Sequence, residues 1–351
     1  MTLPSLRSSS RRRGPRLNRR RLPAWVWVPA LAGAIGVLSA CAAAHLKPIP
    51  PRGPIPVSAG VSVQASPVPL DPSNPARLEV DGFRYAGGVA LTSADTSRLH
   101  GLSDLIVYGD GSLVAPSDDG DIFRGKLVLD ADGRLVGVSD ATLEPLRNPK
   151  GEPLQGKGEG DAEGAAQLHD GPLLISFERH HRIWRYAQDQ ADPKPATMPD
   201  VKLEPNEGME GLAAFGARDR TAYWVGTEPG GLYLCRLDVS CAEVSGLPKP
   251  PLGYRLSGLA PGPNGELVIL HHSYIPAIGS RIIVTIVRDP NGTKTVAGRL
   301  AMGPNSTVDN FEGVSVAARP NGDWRLYLLS DDNFNPKQRT LLLAFDWTPP
   351  K

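Results

Sequence analysis

The chain is poor in cysteine, has no acid near its start and lacks a long helical pattern. Its 351 residues include three cysteines, Cys41, Cys235 and Cys241. No second Cys or His pair stands at ligand spacing beside Cys235 and Cys241, which argues against a zinc site. No Gly-x-Ser-x-Gly element occurs, which argues against an α/β-hydrolase esterase. Gly156-Lys157-Gly158-Glu159-Gly160 is glycine-rich, but no Gly-Lys-Ser/Thr follows it. It therefore reads as a loop and not as a nucleotide-binding P-loop. Beyond the N-terminal region no segment sustains an apolar period of 3.6, so a helical domain is excluded.

Charge is placed unevenly. Residues 1–40 hold eight arginines and no acid. Removing these from the 38 basic residues leaves 38 − 8 = 30 against 37 acids, a net of −7 for the remainder. An acidic body disfavours nucleic acid as a partner and is compatible with binding cations. The arginines from Arg11 to Arg21 precede an apolar run from Ala24 to Ala40 that ends in small residues. That order is the pattern of an export signal. The run is short for a membrane anchor, and Pro29 interrupts it. Leu38-Ser39-Ala40-Cys41 resembles a bacterial lipobox, in which the cysteine becomes the lipidated N-terminus. Ordinary cleavage near Ala40 to Ala44 is the alternative. Residues 41–76 are rich in proline and small residues and read as a tether, leaving 77–351 as the domain. In an oxidising compartment Cys235 and Cys241 either form a disulfide across a hairpin or remain two thiols.

What is abundant is turn chemistry. The 38 glycines and 35 prolines are spread along the chain, which suits many short strands. Five similar units recur, each with a glycine entering a short apolar strand, a turn, a second apolar strand and a polar residue. The lead glycines are Gly101, Gly164, Gly211, Gly258 and Gly313, spaced by 63, 47, 47 and 55 residues. Such periods are the signature of propeller blades. Asp110-Gly111, Asp132-Gly133, Asp170-Gly171, Asn264-Gly265, Asn291-Gly292 and Asn321-Gly322 sit between apolar runs as hairpin turns. The expected fold is an all-β, six-bladed β-propeller. Its sixth blade would be completed by Arg77 to Ala86 together with Thr340 to Phe345. Five blades, or an open β-sandwich pair, are the alternatives.

Equivalent positions in the blades of a propeller form rings. One expected ring holds His100, Glu163, Glu210, Ser257 and Glu312. The other holds Asp118, Asp119, Glu178, Glu228, His272, Asp331 and Asp332. Crowded carboxylates cannot all stay ionised without a cation. Oxygen ligands suit Ca2+ or Mg2+, so Glu163, Glu210, Glu312, Asp118 and Asp332 are the candidate metal ligands. Glu163, Glu210, His100 and His272 are the candidate catalytic groups, the histidines because they move protons near neutral pH. A competing reading makes each Glu-Gly a fold device, its carboxylate accepting from nearby backbone N–H groups.

Gly101-Leu102-Ser103, Ser117-Asp118-Asp119-Gly120, Asp161-Ala162-Glu163-Gly164, Phe177-Glu178-Arg179, Ser330-Asp331-Asp332-Asn333-Phe334 and Gln338-Arg339-Thr340-Leu341-Leu342 occur in this order. Together they resemble the phytase-like family ("esterase-like activity of phytase") over roughly residues 77–347. The resemblance implies an exported bacterial propeller and, by the family's name, esterase or phosphatase activity. Ala162 stands where proline is expected, and Ser257 where the other units carry Glu or His. The expectation is an exported cell-envelope, cation-dependent hydrolase of phosphate or carboxylic esters. A non-catalytic ligand-binding propeller and a metal-dependent lactonase-type propeller are the alternatives. The expected partner is a small-molecule ester or phosphoester, not nucleic acid. The protein is expected to be a monomer in the periplasm or envelope, held to a membrane by lipid if Cys41 is modified. Mass analysis of the mature protein from a membrane fraction should find Cys41 as a lipid-bearing N-terminus. An unmodified N-terminus elsewhere removes the lipobox reading.

Overall fold

A computed structural model describes residues 59–187, 193–216 and 219–350, all within one compact unit, Lys47–Lys351. The export signal, Cys41 and the first part of the tether lie outside the described residues. Strands β1 (Ala59–Gly60), β2 (Gln64–Pro67), β3 (Glu79–Val80) and β4 (Phe83–Thr92) come first. The tether expected over 41–76 is therefore part of the fold from Ala59 on. There β2 pairs with β4, Leu70 is fully buried, and Thr307 donates to the carbonyls of Pro69 and Leu70.

Five antiparallel four-stranded blades follow. The first is β5 (Ile106–Val107), β6 (Ser112–Ser117), β7 (Asp121–Leu129) and β8 (Leu135–Pro145). The second is β9 (Ala162–Gln167), β10 (Leu173–Phe177), β11 (Arg182–Tyr186) and β12 (Lys194–Pro195). The third is β13 (Gly211–Ala214), β14 (Ala222–Gly226), β15 (Leu232–Arg236) and β16 (Cys241–Glu243). The fourth is β17 (Arg255–Pro261), β18 (Leu267–Ile275), β19 (Gly279–Arg288) and β20 (Thr295–Met302). The fifth takes β21 (Asn310–Ala318), β22 (Trp324–Asp331) and β23 (Thr340–Trp347) from the C-terminal end, and β4 supplies its outer strand. The segments expected to build a sixth blade thus complete the fifth. A single parallel pair, Gly87 with Leu135, links β4 to β8.

The core is divided in the same way. Each of five apolar clusters fills the seam between two neighbouring blades, and the cluster around Leu102, Phe123 and Leu342 joins the fifth blade to the first. The six Asn-Gly and Asp-Gly pairs named above each fall between antiparallel strands. Cys235 and Cys241 face each other across β15 and β16 and are disulfide-bonded. Trp224 and Trp324 are buried in the core.

The inner strands touch around a closed circuit, β9 to β13 to β17 to β21 to β5 and back to β9. Four lead glycines make the contact possible. A Cβ on Gly258 would lie 2.2 Å from the carbonyl oxygen of Glu312, and one on Gly313 would lie 2.9 Å from the amide of Leu105. Gly164 and Gly211 meet the next strand in the same way. The position in the first blade equivalent to these glycines is Asp104, not Gly101. Asp104 is fully buried and accepts from the amides of Leu105 and Ala165, closing the seam to the second blade with a side chain. Gly258→Ala should destabilise the protein by about 3 kcal/mol, at the upper end of overpacking costs. Gly158→Ala, where a Cβ meets nothing within 4 Å, should change stability by less than about 0.5 kcal/mol. Urea melts of both variants check the pair.

Candidate functional site

Bulges aim the site. On β9, Glu163 and Gly164 together face one residue of β10; Ser257 on β17 and Glu312 on β21 are likewise the extra residues of bulges. A bulge turns the extra side chain out of the regular alternation, here beside the seam where the blades meet. The registers define three tiers at this end of the ring. Gly101, Asp161, Gly208, Arg255 and Asn310 form the first. Two residues further along each strand lie Ser103, Glu163, Glu210, Ser257 and Glu312. Across the hairpins lie Asp118, Glu178, Glu228, His272 and Asp331. His100 therefore falls outside the ring expected for it, and Ser103 takes that place.

Eight carboxylates gather from four blades: Asp118; Asp161, Glu163 and Glu178; Glu210 and Glu228; Glu312 and Asp331. The three tier glutamates keep some surface open but are enclosed by protein. Burial holds Glu163 well above the usual carboxylate range, and Glu210, Glu312, Asp161 and Asp118 push it further. Glu210 is raised by burial and then by Glu228 and Glu178; Glu312 by burial and then by Asp331, Glu210 and Asp118. Asp331 is raised by burial and by Asp118. Burial and Asp161 push Glu178 up to about 7. Burial pushes Asp118 up to about 6 against the opposing pull of Lys157.

Three cationic side chains face these acids. Lys157 ion-pairs with Asp118 and lies 3.8 Å from Asp161, Arg179 pairs with Asp161, and Arg255 lies 3.0 Å from Glu228. Lys157 comes from the glycine-rich stretch, which forms the one-turn helix α1 (Gly156–Gly160). Gly160 approaches Gly120 so closely that a Cβ on it would lie 2.6 Å from the Gly120 Cα. This glycine-on-glycine contact brings the lysine over the Asp118 hairpin. Arg179 holds a φ of 58°, a left-handed backbone that is strained for a large side chain. The fourth blade is the exception to the acid pattern, presenting Arg255, Ser257 and His272.

Oxygens of Asp161, Glu163 and Glu178 lie within 4.8 Å of one another, and one oxygen of the buried Asp118 has no hydrogen-bond partner among the described residues. Of the expected metal ligands, Glu163, Glu210, Glu312 and Asp118 share one electrostatic neighbourhood. Asp332 is committed elsewhere. It accepts from His100 Nδ1 at 2.6 Å, the Gly101 and Phe334 amides and the Thr340 hydroxyl. Although burial raises its pKa, the bonds from His100, Gly101 and Thr340 hold it below the usual value. His272 Nδ1 lies 2.8 Å from Asn310 Oδ1, and Asn310 donates to Glu312 at 2.7 Å. Burial lowers the His272 pKa. The fold-device reading describes Glu210, which accepts from the Gly208 amide; no such bond reaches Glu163 among the described residues. Asp161 and Glu178 were visible as motif residues, whereas Lys157 and Arg179 carry no repeat signal.

This is an acid-lined propeller end built from several blades. The phytase-like family model, described as esterase-like activity of phytase, matches residues 97–334. The chain belongs to that family. Among curated proteins nothing matches. Among solved structures, a gluconolactonase from Xanthomonas campestris is 13% identical with a TM-score of 0.40, over 86% of this chain and 99% of that one. A calcium-binding protein, regucalcin, from Agrobacterium tumefaciens is 14% identical with a TM-score of 0.41, over 84% and 90%. An extracellular domain assigned to a hybrid two component system of B. thetaiotaomicron is 13% identical with a TM-score of 0.38. The match takes in 75% of this chain and 31% of that one, so the chain spans about a third of its length. At TM-scores below 0.5 these likenesses bear on neither substrate nor site.

Raised carboxyl pKa values set the sign of a pH effect. Between about pH 4, where unfolded carboxyls titrate, and about 7, the value reached by Glu178, the folded chain holds more protons than the unfolded one. Stability then falls as pH rises. Melting curves in chelator should show the highest stability in mild acid and a steady loss towards pH 7.5. Glu163→Gln removes one ionisation and should raise the melting temperature at pH 7.5, by roughly 2–4 °C for each kcal/mol relieved. A wild-type curve that is flat over this range contradicts the crowding.

Proposed function

We propose that the chain is a hydrolase of small phosphate or carboxylic esters that works with a divalent cation, Ca2+ or Mg2+. Asp161, Glu163 and Glu178 would hold the cation, with Glu210 beside them. The observation that carries this reading is the convergence of these three carboxylates within 4.8 Å, with Glu163 held well above the usual carboxylate range by burial and by its acidic neighbours. The unpartnered oxygen of Asp118 fits a site short of positive charge. Hard oxygen ligands suit these ions. When bound, such a cation polarises the ester or phosphoryl oxygen and activates water.

The chain's own groups divide the remaining work. Lys157 and Arg179 have side chains 43% and 45% exposed, so they stand where an anionic group would enter. Asp332 fixes His100 through Nδ1, and the Phe334 ring packs beside it at 5.7 Å. That arrangement holds the imidazole in one orientation for proton transfer. Asn310 sets the tautomer of His272: its amide nitrogen donates to Glu312, so its oxygen accepts from Nδ1–H and the histidine's lone pair is left on Nε2. We place the protein outside the cytoplasm on the strength of its N-terminal pattern.

Calcium should raise the melting temperature of the wild type at pH 7.5, and chelator should reverse the gain. Glu178→Gln should lose most of that response, together with turnover of aryl phosphates or aryl esters, by 10-fold or more. A wild-type melting point indifferent to cation and chelator, with neither substrate class turned over, would leave a ligand-binding propeller in place of the enzyme.

A further inference from the structure

His271 and His272 are neighbours on β18 and point to opposite faces, as strand residues do. His272 turns to Asn310 and the acid cluster. His271 turns the other way, into a cleft between the third and fourth blades. It is 5% exposed, and its Nδ1 has no hydrogen-bond partner among the described residues. Burial, then Arg299 and His272, push its pKa down to about 4, so it is neutral at pH 7. A buried ring nitrogen with nothing to bond is rare in a native core and calls for an occupant.

A second orphan lies beside the cleft, against its Tyr254. Arg281 faces Ser273, two residues along from His271, and donates to its hydroxyl at 3.1 Å. Its guanidinium sits over the Tyr254 ring, 5.4 Å from the centroid, while its Nε is buried without a partner among the described residues. Nε–H of arginine is a donor only, so what is missing there is an acceptor. The cleft has a volume of about 620 Å3, within the range of small-molecule pockets. Leu232, Leu256, Ile269, Tyr254 and Leu252 give it an apolar lining, and Lys249 stands at its edge. Leu252 is completely exposed. The lining itself holds one cation, Lys249, and one acid, Glu243; further positive charge comes from Arg281, over the Tyr254 ring, and from Arg299, which acts on His271.

We propose that this cleft binds a small amphipathic organic anion, its apolar body against Tyr254 and the leucines and its anionic oxygens facing Arg281 and His271. It is a site separate from the acid cluster. The apolar lining accounts for the body, the cationic surplus for the charge, and the orphan Nε–H for the acceptor.

The probe is 8-anilinonaphthalene-1-sulfonate, a fluorescent amphipathic anion, titrated into the full chain with near-UV circular dichroism as a check of folding. One saturable site is expected, displaced by octanoate but not by octanol. Arg281→Met should weaken it at least tenfold. Leu252→Asp changes a fully exposed rim position and should weaken it similarly without touching the core. Glu163→Gln should leave it unchanged, so the result stands whether or not the cation site does. The proposal is overturned if the probe does not bind, if Leu252→Asp and Arg281→Met bind it as the wild type does, or if octanol competes as well as octanoate. In each case the orphan nitrogens are served by solvent alone.

Discussion

The structure depends on how closely its inner strands approach one another. At four of the five seams a glycine lets one backbone lie against the next, and a methyl group would collide with main-chain atoms that cannot rotate away. The fifth seam uses Asp104, whose buried carboxyl takes up the amide of Ala165. Because the strands meet so tightly, whatever precedes the lead glycine is held at the seam. A bulge then turns it out of the strand's alternation. The crowding of Glu163, Glu210 and Glu312 therefore follows from the same packing that closes the ring. Five seams with five separate apolar clusters also explain why the core is distributed rather than central.

That geometry concentrates charge of one sign. Carboxylates held together by backbone packing cannot move apart, so relief comes from protons, from Lys157 and Arg179, or from a bound cation. The fourth blade alone offers arginine, serine and histidine at the corresponding positions. The acid lining is thus incomplete on one side. Function in this reading lies less in any single residue than in the breaking of a fivefold pattern.

The sequence carried the repeated parts well and the unrepeated parts poorly. Lead glycines at Gly164, Gly211, Gly258 and Gly313 were legible because a close approach admits only glycine and recurs once per blade. The first blade was misaligned by three residues, because Asp104 stands where the repeat has glycine and Gly101 offered itself instead. Asp332 and Asp331 are adjacent, and only the strand register decides that Asp331 joins the acids while Asp332 orients His100. Lys157 and Arg179 sit on a loop-like helix and a turn, and nothing periodic marked them. The pairing of the two chain ends was anticipated, but the fifth repeat unit was counted as a blade of its own, whereas β21 and β22 share their sheet with those end strands.

That pairing of distant ends has a consequence for how the protein is made. β4 is among the first strands to be synthesised, and its partner β23 is among the last. Until the C-terminal strand arrives, the ring stays open and β4 keeps an unpaired edge. Contacts of such sequence separation form slowly, because the loop between them must close first. A chain that locks its circle only at the final strand is also one that cannot lock it early. The covalent order of the strands delays this pairing until β23 has been made.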